Sequence, residues 1–162
     1  MIVSDASTLI LLARVSILRK FISDFGKIIV PEEVAREMTV SHSLDARMLE
    51  REIKENNIVV KSIQSGTDEI TRQFRLDLGE AEAYVLYNEL HARVILTDDG
   101  ELIKLCKLFE IPFVNALAIV VRMFDHGWLT REETCEYLRK LNDYGRYSRK
   151  VYNVFKEEAK CP

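Results

Sequence analysis

Five carboxylates stand at positions where they could do chemistry together. Asp5 follows the apolar run "MIVS", Asp98 and Asp99 follow "RVILT", Glu80 sits in "LGEAEA", and Glu37 lies in "VPEEVAREM". Each has an ordinary structural explanation. Asp-Gly is a common turn signal, and an acid in the first turn of a helix, as at Glu80, is favoured by the helix dipole. Glu33 and Glu37 are four apart on one helical face, an unfavourable pair that Arg36 relieves. The combination points further. Two carboxylates about 4 Å apart repel by roughly 4 kcal/mol at an effective dielectric of 20, so several converging in one crevice require protons or cations. Oxygen ligands without imidazole or thiolate select hard divalent ions, Mg²⁺ or Mn²⁺. Such ions activate water and stabilise a phosphodiester transition state, and a pair about 3.5–4 Å apart clamps the attacking and leaving oxygens.

Other chemistries lack their residues. His42, His91 and His126 are scattered, as are Cys106, Cys135 and Cys161, without any C-x-x-C pairing. That spacing predicts neither a zinc site nor a disulfide framework, and fits a reducing cytoplasm. Phosphotransfer through an aspartyl intermediate would want a second carboxylate beside Asp5, where Ala6, Ser7 and Thr8 stand instead.

The elements that position these acids read as alternating strands and helices. Strands are expected at residues 1–4, "KIIVP", "IVVKSI", "RVILT" and "IPFVN". Helices are expected from Ser7 to about Asp24, from Pro31 to about Met38, over "SLDARMLEREIKENN", "SGTDEITRQF" and "LGEAEAYVLYNELH", from Gly100 to about Phe109, and over 116–125. Two more follow, at "TREETCEYLRKL", which opens with Thr130 and Glu133 in capping-box spacing, and at 148–159. Short continuous apolar strands between helices predict a mostly parallel sheet covered on both faces, a three-layer α/β fold. In such sheets ligands bind beyond the carboxyl ends of the strands, where the strand order reverses. If the first and fourth strands are neighbours, Asp5 shares a crevice with Asp98 and Asp99. Strand alternation then turns Thr97 and Asp99 one way and Asp98 the other, making Asp99 the partner of Asp5.

The chain has 162 residues, 48% of them hydrophobic and 30% charged, which suits one folded domain with a sizeable core. No apolar run reaches the roughly 20 residues that span a bilayer, and no secretory leader is visible before the first strand. A net charge of −3 counts against a nucleic-acid partner. The charge is uneven, however: Arg139, Lys140, Arg146, Arg149, Lys150, Lys156 and Lys160 are interleaved with Tyr144, Tyr147 and Tyr152. The plainer reading of that tail is a solvated helix with its tyrosines on the core; the other is contact with phosphates and stacked bases.

"IVSDAST", "VPEEVAREM", "LGEAEA" and "VILTDDGELIKLCKLFEIP", in this order and at these strand and helix positions, resemble a PIN domain. The closest likeness is to the single-domain prokaryotic PIN proteins related to VapC toxins, and it runs from Ile2 to about Val114. The resemblance implies a PIN-like three-layer domain over 1–129, with 130–162 as a helical extension packed on it. It implies a cytoplasmic metal-dependent ribonuclease with catalytic residues Asp5, Glu37, Glu80 and Asp99. Asp5, Glu80, Asp98 and Asp99 would hold Mg²⁺ or Mn²⁺, with Asp5 central and Asp98 assisting, and Ser7 and Thr97 would contact substrate. RNA would be the substrate, with a small antitoxin-like protein and a second copy of the chain as further partners, and no membrane. One departure is "VNALAIVVRMF", which lacks the glycine-rich turn many relatives carry after the last strand. The competing reading is a PIN-like module that binds RNA or protein without cleaving.

Overall fold

The computed structural model describes residues 1–162, which divide into two compact units, Met1–Val114 and Asn115–Pro162. In the first unit the strands are β1 (Ile2–Ser4), β2 (Ile28–Pro31), β3 (Ile58–Lys61), β4 (Val94–Leu96) and β5 (Phe113–Val114). All pair in parallel, in the order β3-β2-β1-β4-β5. The chain builds outward from β1 through β2 to β3, then returns to the other side for β4 and β5. The order therefore reverses between β1 and β4, which lie in register with Val3 opposite Ile95 and Ser4 opposite Leu96. The adjacency on which the acidic crevice depended is present.

Seven helices belong to this unit: α1 (Ala6–Arg14), α2 (Leu18–Phe25), α3 (Glu32–Thr39), α4 (Leu44–Lys54), α5 (Asp68–Gln73), α6 (Leu78–Glu89) and α7 (Gly100–Leu108). They flank the sheet on both faces, giving the three-layer α/β/α arrangement. The Val3, Ile29 and Ile95 side of the sheet packs against Ala81, Ala83 and Leu86 of α6 and Leu102 and Leu105 of α7. β2 and β4 bury nearly every residue, as strands covered on both faces must.

One expected element divides. A single helix was expected from Ser7 to about Asp24, but the chain turns at Ser16, whose φ is +64°. Ser16 N–H donates to the Ala13 carbonyl at 3.0 Å and Ile17 N–H to that of Leu12 at 3.0 Å, closing α1. The turn places Val15 and Ile17 in the core, at 4% and 0% exposure, which one straight helix would not do. No glycine marks the place, so local sequence carries no signal for it.

The second unit holds α8 (Ala116–Asp125), α9 (Arg131–Tyr144) and α10 (Arg149–Glu158). α8 packs against α9, and α10 packs against both. The capping box at Thr130 and Glu133 is formed in both directions, at 3.1 Å each way. Cys135 and Cys161 are joined by a disulfide with their Cα atoms 5.7 Å apart, leaving Cys106 as the buried free thiol. This corrects the expectation that the cysteines form no disulfide. Spacing of 26 residues carries no pairing signal; the return of α10 alongside α9 brings the two sulfurs together.

Candidate active site

Asp5 lies one residue past β1, and its N–H continues the ladder by donating to the Leu96 carbonyl at 3.1 Å. It is also the N-cap of α1. Oδ1 accepts from Thr8 N–H at 3.5 Å and from Ser7 Oγ at 2.8 Å, while Oδ2 accepts from Thr97 Oγ1 at 2.6 Å. Asp5 is buried, at 2% exposure. Burial first, then the charge of Asp98, raise its pKa to about 7 against these hydrogen bonds.

Ser7 and Thr97 do the same work on opposite sides of Asp5. Ser7 Oγ also accepts from the N–H of Asp98 at 2.9 Å, and Thr97 Oγ1 also accepts from the N–H of Asp99 at 3.0 Å. Each hydroxyl thus ties Asp5 to the chain just beyond β4. The expectation that both contact substrate is corrected for Thr97, which is fully buried and offers no surface. The Thr97 hydroxyl is taken up by Asp5 and the Asp99 N–H, and the Ser7 hydroxyl is engaged in the same way with Asp5 and the Asp98 N–H.

The two adjacent aspartates part company. Strand geometry ends at Leu96, so alternation does not extend to them. Asp98 accepts from Thr8 Oγ1 at 2.6 Å and is the carboxylate whose charge Asp5 feels. Asp99 caps α7, with Oδ1 accepting from Leu102 N–H at 2.9 Å, and its other close partner is Glu80. The pairing expected between Asp5 and Asp99 is therefore replaced by Asp5 with Asp98 and Glu80 with Asp99. The reason is local: the first free N–H groups of α7 capture the carboxylate at their N-cap. Thr8, which orients Asp98, is not singled out by the sequence, where it reads only as the third residue of the helix that Asp5 caps.

Glu80 closes a capping box with Asp77, accepting from Asp77 N–H at 3.0 Å while its own N–H donates to Asp77 Oδ1 at 2.8 Å. Desolvation first, then the charge of Asp99, with which it shares a hydrogen bond, raise its pKa to about 9. At neutral pH Glu80 therefore keeps its proton. Glu37 approaches the same helix start. Desolvation, then the charges of Asp77 and Glu33, raise it to about 7, and the Gly79 N–H donates to it. Its carboxylate lies so close over Gly79 that a Cβ there would sit 2.6 Å from Oε1. Gly79 is thus a site residue that sequence reasoning missed; "LGEAEA" contains it, but only the fold shows what crosses it. Arg36, expected to relieve the Glu33–Glu37 pair, forms an ion pair with Glu33.

Three carboxylates whose pKa values are pushed to about 7, 7 and 9 mark a site where negative charge is desolvated. Cys106, buried and near the Asp5 charge, has its thiol pushed up to about 12, which removes it as a nucleophile. The DUF3368 family, described as a PIN domain, matches residues 1–160. The chain belongs to this PIN-domain family. No curated protein and no solved structure matches it significantly. PIN domains are in general nucleases, and usually use divalent metals. The acids of this PIN domain supply hard oxygen donors of the right kind, and their raised pKa values are what a cation would relieve. As they stand they form two carboxylate pairs, and no three His, Cys, Asp or Glu side chains converge closely enough to hold a metal ion.

Proposed function

We propose that this PIN domain is a metal-dependent endoribonuclease hydrolysing phosphodiester bonds of RNA at the crevice between β1 and β4. The observation that carries the reading is Asp5: a buried carboxylate gripped by Ser7, Thr8 and Thr97 at the point of strand reversal, with Asp98 beside it. A charge held this firmly without a cationic side chain against it is preorganised for a cation. Asp5 with Asp98, and Glu80 with Asp99, are the pairs that would hold Mg²⁺ or Mn²⁺, which when bound supplies Lewis-acid stabilisation of the phosphodiester charge. Asp5 is held in one orientation by its three donors, and Glu37 is positioned through Gly79. Protons on Glu80 and Asp5 must leave when cations enter, so activity rises with pH across the neutral range.

On this reading RNA is the substrate, and a small antitoxin-like protein and a second copy of the chain are the partners to look for. A cytoplasmic location accords with an RNA substrate; the Cys135–Cys161 bond is the observation that counts against it.

The test compares wild type with Asp5→Asn, in chelator and in Mn²⁺ or Mg²⁺, by thermal unfolding and by cleavage of single-stranded RNA. Wild type at about a hundred times the dissociation constant gains roughly 2.7 kcal/mol, and Asp5→Asn loses both that gain and cleavage. Wild-type cleavage by Asp5→Asn would sink the site. The absence of a third convergent carboxylate favours one alternative, a non-catalytic RNA- or protein-binding module. RNA binding at equal strength in chelator, with no cleavage in either metal, would select it.

A further inference from the structure

The loop joining α9 to α10 carries a charge opposite to that of the chain, with no ion pair to offset it. Residues Tyr144–Val151 read "YGRYSRKV", with Arg146, Arg149 and Lys150 giving +3 and no acid; the chain is −3, so all other residues together sum to −6. The three cations are exposed and form no ion pair, while Arg139, one turn back on α9, is held by Glu136 and Asp143. Folding does not explain them. Arg149 and Lys150 occupy the first turn of α10, which has no acid, although the dipole there favours negative charge.

The loop is also built. Gly145 caps α9, its N–H donating to the Leu141 carbonyl at 2.7 Å, and Ser148 Oγ caps α10 by accepting from Val151 N–H at 3.1 Å. Between them the Tyr147 ring lies on the α-carbon of Gly145, so close that a Cβ there would come within 2.4 Å of it. Arg146 is therefore displayed from a tight turn between two helix ends. Tyr144 is 53% exposed beside it.

We infer that this loop and the first turn of α10 bind the phosphate backbone of single-stranded RNA. The inference rests on RNA being the substrate of the acidic crevice, and assigns part of its capture to a different unit of the chain. Backbone binding needs unpaired cations spaced along a surface, as Arg146, Arg149 and Lys150 are. An anionic membrane would use the same charge, but needs a broader apolar face than Val151 and Val154 provide.

The test is fluorescence anisotropy of labelled polyuridylate RNA with the full chain in chelator, where cleavage is suppressed, from 50 to 200 mM salt. Arg146→Ala/Arg149→Ala/Lys150→Ala should lower the slope of log affinity against log salt by about 2, at about 0.7 for each phosphate no longer neutralised. A second variant, Arg149→Glu/Lys150→Glu, should bind RNA at least about tenfold more weakly while unfolding no earlier than wild type, because acids suit that helix end. Wild-type affinity and slope in both loop variants would overturn the inference, as would binding to phosphatidylserine vesicles with none to RNA. Cleavage that persists with unchanged RNA binding in the loop variants overturns the surface alone. Loop-dependent binding without cleavage in Mg²⁺ or Mn²⁺ overturns the nuclease reading alone.

Discussion

Gly79→Ala separates the stability of α6 from the geometry of the acidic site. Gly79 has an ordinary helical backbone, and no φ bars a side chain there. Exchanging glycine for alanine in a helix gains up to about 1 kcal/mol. The new Cβ would, however, sit 2.6 Å from Glu37 Oε1 and 3.0 Å from Cδ and Oε2, where 3.4 Å is the ordinary lower limit. Glu37 must therefore move by about 0.8 Å or more, away from the Gly79 N–H and toward water. Its pKa, raised to about 7 first by desolvation, then falls back toward 4.5. A misplacement of about 1 Å in a positioned group costs on the order of a hundredfold in rate. The assay is a carboxyl NMR titration of Glu37, with thermal unfolding and RNA cleavage on the same samples. Unfolding should stay level or rise by up to a few degrees while the Glu37 titration drops and cleavage falls. A Glu37 that still titrates near 7 with full cleavage would refute the reasoning, because the carboxylate would not then depend on the bare α-carbon.

Other perturbations follow from the same geometry. Because the folded chain raises Asp5 from 3.8 to about 7, it holds a proton that the unfolded chain has released. The contribution of Asp5 to metal-free stability is thus fully present below about pH 4 and is lost, on the order of 4 kcal/mol, as pH rises to 7. Denaturant titrations in chelator should show that fall, and should show it reduced in Asp5→Asn, which caps α1 equally well without charge; a profile identical in the two would remove Asp5 as its source. Thr97→Val deletes the 2.6 Å donor to Asp5 Oδ2 and leaves a buried acceptor unpaired, at about 1–3 kcal/mol, with the Asp5 titration moving upward. Unchanged stability and titration would show that the hydroxyl does not hold Asp5. Opening Cys135–Cys161, which closes a loop of 26 residues, should destabilise the chain by about 3.5 kcal/mol, measured by unfolding with and without reductant. Equal midpoints would mean the bond contributes nothing.

Much of this architecture is local and therefore readable along the chain. Strand and helix order follows from apolar spacing and caps: Thr130 and Glu133 close their box because both partners lie within one turn. That acids end β1 and β4 is likewise visible in "MIVSD" and "ILTDD", and parallel topology makes those ends a crevice. The PIN-domain likeness rests on four such local motifs. Other features depend on what arrives from elsewhere. Ser16 turns because Val15 and Ile17 have a core to enter. Asp98 rather than Asp99 joins Asp5 because α7 starts where it does and takes Asp99 for its cap, and because Thr8 waits across the sheet to take Asp98. Gly79 matters only because Glu37 crosses it, and Cys135 meets Cys161 only because α10 returns along α9. Sequence by itself determined the inventory of carboxylates and the elements that carry them, since caps and periodicity act within a few residues. Only the tertiary structure decided which carboxylate faces which, because that depends on where strands end and on side chains 90 residues or more apart meeting in space.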